Sequence, residues 1–176
     1  MFKVGQKVVY PGHGVAKINR ILEKIVSGIV FHFYELTFLN KDVVILVPVA
    51  NAESIGVRTL CSSNKIKVIF ETIVQPVRKI SLQEMTAHNW NKRKKNYHNE
   101  IRTGKFEKIL EIYRDLKFIE QNKELSFGEK NLLNQTEALI VEEIAAAKEF
   151  AEEKAIEYLR SCFTTASYKS RVCQQL

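Results

Sequence analysis

No two cysteines of this chain stand close enough in sequence to suggest a metal site, and the odd set Cys61, Cys162 and Cys173 does not fit a disulfide framework. They read as reduced thiols, which predicts a cytoplasmic protein. No stretch reaches the about 18 uncharged apolar residues of a membrane span, and the opening MFKVGQKVVY lacks a charged start followed by a long apolar run. The expectation is neither export by a cleavable signal nor insertion into a membrane. The histidines His13, His32, His88 and His98 lack HExxH-type spacing, and no cysteine has a histidine nearby in sequence to mark a nucleophile. That predicts a protein that is not an enzyme, with no metal and no cofactor. Gly12 and Gly14 in YPGHGVAKI allow a tight turn at positive φ, yet no helix-forming segment follows, so the turn is not a phosphate loop. Tryptophan occurs once, as Trp90.

What is present is enough apolar material for a core, 45% of 176 residues, and an uneven distribution of charge. The net charge is +7, and Lys+Arg stand against Asp+Glu as 7 to 4 over residues 1–60, 13 to 7 over 61–120 and 7 to 9 over 121–176. Positive charge therefore collects in the middle third. Between residues 92 and 105, Lys92, Arg93, Lys94, Lys95, Arg102 and Lys105 face the single acid Glu100. Such a run is the footprint of phosphate-backbone binding, and equally the pattern of a solvated helix face.

The hydrophobic period changes near residue 60. VGQKVVY, HGVAKINRIL, IVFHFYELTF, DVVILVPV and IGVRTL are short, rich in β-branched and aromatic residues, and broken at Pro11–Gly12, Ser27–Gly28 and Asn40–Asp42. Five such strands predict a small, strongly bent antiparallel barrel, SH3-like or Tudor-like. Beyond residue 60 the spacing is helical. Ile66, Ile69, Phe70 and Ile73 share a face; SLQE at Ser81–Glu84 and SFGE at Ser126–Glu129 match capping boxes; and Thr103 reads as a start leading to Phe106, Ile109, Leu110, Tyr113 and Leu116. A last amphipathic segment is predicted from Glu149 to Cys162. The fold class expected is α+β in two domains: a barrel at 1–60, a compact all-helical domain at 61–163, and a disordered tail at 164–176.

Trp90 stands two residues before four consecutive cations in HNWNKRKKNY. If residues 89–101 are helical, Trp90, Tyr97 and Ile101 lie on one side, so burial of all three is open. Equally open is a half-exposed ring at the head of a basic helix, placed to stack on or wedge between bases while cations hold phosphates.

The segments FKVGQKVVYPGHGVAKI, VPVANAESIGVR at 47–58, NWNKRKKNY at 89–97, GKFEKILEIYRDL at 104–116 and LSFGEKNLL at 125–133 resemble, in that order, the CarD/CdnL family of bacterial transcription regulators. In that family the N-terminal part is similar to the polymerase-interacting module of transcription-repair coupling factor. The resemblance implies a regulator that docks its Tudor-like domain on the β subunit of RNA polymerase. Its helical domain would touch promoter DNA, from the minor-groove side and along the backbone, at the upstream fork of the bubble and stabilise the open complex. Trp90 matches the family's wedge, with Lys92, Arg93 and Lys95 at its backbone-contacting positions and Lys94 between them. Lys24 and Leu46 fall where relatives carry basic residues for the polymerase contact. Leu46 departs from that pattern, which leaves the contact to the exposed strand edge Val43, Val44, Ile45, Leu46 and Val47, whose main-chain groups can pair with a partner strand whatever the side chains. The rival reading is a sequence-independent nucleic-acid binder with a KOW-like or OB-like barrel and no polymerase contact. A monomer, associated with the nucleoid through polymerase, completes the expectation.

Overall fold

The computed structural model describes residues 1–73 and 87–163. The capping box predicted at Ser81–Glu84 and the tail predicted at 164–176 lie outside the described residues. The chain is α+β. Five strands, β1 (Lys7–Tyr10), β2 (Gly14–Val26), β3 (Ile29–Phe38), β4 (Val44–Pro48) and β5 (Arg58–Thr59), come first. Five helices follow: α1 (Ser63–Ile73), α2 (Ala87–Arg102), α3 (Phe106–Asn122), α4 (Phe127–Lys148) and α5 (Glu152–Cys162).

The strands form one antiparallel sheet in the order β4-β3-β2-β1-β5. β2 and β3 are joined by a two-residue turn, Ser27–Gly28, with φ of 53° and 81°. Two successive positive φ values match the right-handed twist of the flanking strands, so the hairpin stays in register to its tip. A register shift between Ile18 and Arg20 bends β2. One face of the sheet is covered by the packed residues Val8, Ala16, Ile18, Tyr34, Leu36, Phe38 and Val47.

The helical core takes Ile66, Ile69 and Phe70 from α1, Ile101 from α2, the stripe Phe106, Ile109, Leu110, Tyr113 and Leu116 from α3, and Leu132, Leu133, Ile140 and Ile144 from α4. These are largely the positions that the 3.6-residue period selects. Three boundaries differ from the sequence expectation. Thr103 does not start α3; its amide and hydroxyl both donate to the Glu100 carbonyl (3.0 and 2.7 Å), so it closes the end of α2, and α3 opens after Lys105. α5 begins at Glu152 because Glu149 adopts φ 54° as the left-handed cap of α4, which stops continuous helix there. β4 begins at Val44 rather than Val43, whose carbonyl accepts from the Phe38 amide (3.3 Å) in the turn.

The two halves meet at consecutive acids of α4. Glu143, 2% exposed, accepts a fork of hydrogen bonds from Arg58 of β5 (Nη1 2.6 Å, Nη2 2.8 Å) and a third from the Cys61 amide (2.9 Å). Arg58 Nε donates to the Gly104 carbonyl (2.6 Å), which ties the α2–α3 turn into the same knot. Glu142 accepts from the Val15 amide of β2 (3.1 Å). The approach is close enough that a Cβ on Gly14, itself at φ 104°, would overlap the Glu142 carboxylate. Burial, with the neighbouring Glu143 carboxylate, pushes the Cys61 thiol up to about 12, so it stays protonated and packs as a small apolar group.

Arg58→Ala is expected to lower stability by about 3–5 kcal/mol, because it strands a buried carboxylate. Urea unfolding measures the loss. Adding Glu143→Gln to Arg58→Ala should recover part of it, whereas simple additivity would show that the pair does not couple.

Candidate nucleic-acid interface

α2 carries the basic run, and its two sides do different things. At about 100° per residue Trp90, Tyr97 and Ile101 fall on the inner side. There Ile101 is buried, and Trp90 and Tyr97 are half-buried at the margin of the helical core. Lys92 and Lys95 share the outer side with Arg102, and all three are exposed. Lys94 is exposed as well, on the flank nearer Trp90. Two successive turns of α2, and its last residue, therefore present cations to solvent on this side.

Arg93 does not join them. Its side chain is 13% exposed and turns inward, where Nη2 donates to Glu129 of α4 (2.8 Å). The sequence reading of Arg93 as a DNA-backbone contact gives way to a structural role, because a guanidinium spent on a buried carboxylate is not free for phosphate. Arg93 Nε and Nη1 are buried with no acceptor among the described residues. The guanidinium instead lies 5.7 Å from the Trp90 ring centroid, so the π face takes up part of its charge.

Glu129 is the anchor of this arrangement. It is 1% exposed and accepts from the Ser126 amide (2.9 Å), the Ser126 hydroxyl (2.8 Å), Lys123 Nζ (3.1 Å) and Arg93. Burial pushes its carboxyl up, but the Ser126 and Lys123 hydrogen bonds outweigh that and hold it below the usual carboxylate range. The predicted capping box Ser126–Glu129 is therefore present, and its glutamate does a second job that no local pattern announces. Gly128 is a further residue that the sequence reading missed. A Cβ there would come within 3.2 Å of Trp90 Cζ2, so the indole rests directly on the first turn of α4. Trp90 is thus neither a core anchor nor a freely exposed ring. Arg93 on one side and Gly128 on another hold it at the surface in one orientation.

The second predicted surface is the edge strand β4. Cross-strand partners share a face and alternate residues share a face. The pairings Lys24↔Phe31, Leu22↔Phe33, Glu35↔Leu46 and Thr37↔Val44 therefore place Lys24, Val44 and Leu46 on the outer face of the sheet. Lys24 Nζ stands 5.9 Å from the Phe33 ring centroid. Val44 and Leu46 are exposed there and so is Val43 just before the strand, whereas Ile45 is half-buried and Val47 is buried in the core. Of the five predicted docking residues, Ile45 and Val47 can offer a partner mainly their main chain.

Two family profiles match the chain. One, described as CarD-like/TRCF RID domain, covers residues 2–60, and one, described as CarD, C-terminal domain, covers residues 78–160. A protein of Bacillus subtilis (strain 168) named "Putative transcription factor YdeB" is 25% identical over 154 residues, which span 88% of this chain and 97% of that protein.

Arg93→Ala should cost about 1.5–3 kcal/mol of stability, the scale of a hydrogen bond to a charged group, and Lys94→Ala almost none. Thermal unfolding of both variants separates the clamp from the exposed face; equal melting temperatures would refute the division. Acid should act on the same clamp. Because the Glu129 carboxyl is lowered in the folded state, its contribution is complete above about 4.5, its ordinary value, and is lost as pH falls through the lower folded value. Unfolding measured against pH should show that this part of the acid limb is missing in Glu129→Gln.

Proposed function

The chain belongs to the CarD/CdnL family of bacterial transcription regulators, and from that premise we propose that it stabilises the open promoter complex. It does so without catalytic chemistry or a cofactor, as a monomer in the cytoplasm. The β4 edge with Lys24, Val44 and Leu46 docks on the β subunit of RNA polymerase, and α2 meets the upstream fork of the bubble. The observation that carries this reading is the division of labour on α2. Lys92, Lys94 and Lys95 face solvent together, while Arg93 and Gly128 hold the Trp90 ring beside them.

The mechanism is linkage. A factor shifts the equilibrium between closed and open promoter by its difference in affinity for the two, and by no more. Docking on polymerase favours neither state. It raises the local concentration of α2 beside the DNA, and the aromatic contact with an unstacked base step supplies the part specific to the open state. Binding through Lys92, Lys94 and Lys95 is to phosphates, hence without strong sequence preference and sensitive to salt.

Retention of the protein on RNA polymerase after nuclease treatment tests the docking half, and its loss would favour a plain nucleic-acid binder. Leu46→Glu, which puts a carboxylate on the exposed outer face of that edge, should weaken that retention while leaving DNA binding intact. Replacing Lys92 and Lys95 by Ala should flatten the dependence of log K on log salt by roughly 0.9 per phosphate contact removed. An unchanged slope would return those lysines to solvent. Trp90→Ala should shorten open-complex lifetime by an amount matching about 1–3 kcal/mol of lost stacking. The lifetime should be read at a temperature where unfolding curves show the variant folded, since the half-buried ring also contributes to stability.

A further inference from the structure

Phe127 opens α4 with 81% of its surface exposed, more than any other aromatic residue among the described residues. Its backbone is held on both sides. Ser126 and Glu129 cap each other across it, with the Ser126 amide donating to Glu129 Oε2 (2.9 Å) and the Glu129 amide to Ser126 Oγ (3.4 Å). At about 100° per residue Phe127 stands opposite the buried Thr136, on the side of α4 turned away from the helical core. An aromatic fixed in water by a rigid cap contributes little to the fold.

Its neighbours indicate what it meets. The next residue, Gly128, is the one against which the Trp90 indole rests, and consecutive Cα atoms lie about 3.8 Å apart. On the same helix as Trp90, two to five residues further on, stand the exposed cations Lys92, Lys94 and Lys95. Two aromatic rings, one clamped and one projecting, at the margin of a cationic helix match a polyanion with flat apolar bases better than they match an apolar protein surface.

We propose that Phe127 is a second aromatic contact for DNA, taking an unpaired base next to the step that Trp90 meets. The starts of α4 and α2 then recognise the junction between duplex and single strand together. This rests on the reading of α2 as a DNA-binding element and extends it to a residue on another helix. It also gives the buried clamp of Arg93 on Glu129 a purpose, since that clamp sets the spacing of the two rings.

The test uses the full chain and two fluorescein-labelled DNAs, one a perfect duplex and the other the same duplex opening into an unpaired fork, read by anisotropy. Phe127→Ala should weaken binding to the fork by about five- to 150-fold, leave duplex binding and the melting temperature unchanged, and be restored by Phe127→Tyr. Trp90, the sole tryptophan, should show fluorescence quenching with the fork in wild type and less of it in Phe127→Ala. Equal binding of both DNAs by wild type and Phe127→Ala would overturn the second contact while leaving the DNA reading in place. Loss of retention on RNA polymerase without any change in DNA binding would assign Phe127 to a protein contact and overturn it as well. If wild-type protein bound neither DNA, the reading of α2 itself would fall, and this inference with it.

Discussion

Two buried carboxylates on one helix organise this protein. Glu129 and Glu143 lie near opposite ends of α4, and each is almost wholly removed from water. Desolvating a carboxylate costs several kcal/mol unless a cation and further donors meet it, so each glutamate needs an arginine from elsewhere in the chain. Arg93 on α2 answers Glu129 and Arg58 on β5 answers Glu143. Apolar packing alone would leave the sheet and α2 many ways to settle on α4. The two ion pairs leave one: the forked contact of Arg58 on Glu143 fixes direction as well as distance, and Arg93 is fixed by its single bond to Glu129 together with its place over the Trp90 ring.

The consequence is that the β4 edge and the basic face do not hang on a tether. β4, Arg58 and the Glu143 knot connect the sheet to α4, and α4 carries Gly128, on which Trp90 rests. A regulator that raises the local concentration of one surface by binding with another gains most when the span between them is set in advance. Here it is set by side chains buried at the junction. The same arrangement accounts for the cost of placing a large ring at the surface. Trp90 keeps part of its burial against the core, balances the Arg93 charge, and still leaves ring surface for a ligand.

The division within the basic run shows how far charge alone can mislead. Lys92, Arg93, Lys94 and Lys95 are equivalent in a count of positive residues. On a helix with one side packed they cannot be, and the one guanidinium among the four is the one turned inward. That choice has a physical basis: guanidinium is planar, weakly hydrated and able to bond a carboxylate while stacking on an indole, whereas an ammonium is better served by water.

The amino-acid sequence by itself determined the fold class, the five strands, most of each apolar stripe, the capping box at Ser126 and the family. These all follow from periodicities of two and 3.6, from turn residues, and from motifs whose elements lie within a few positions of one another. Boundaries such as Thr103 and Glu149 escaped it because they depend on which backbone group a single residue satisfies. Only the tertiary structure decided that Arg93 faces Glu129, that Arg58 faces Glu143, that Gly128 supports Trp90, and that Phe127 is left in water beside it. Each depends on segments far apart in the chain, and for the two ion pairs the energy that selects them, the desolvation of a buried charge, exists only once the surrounding elements have excluded the solvent.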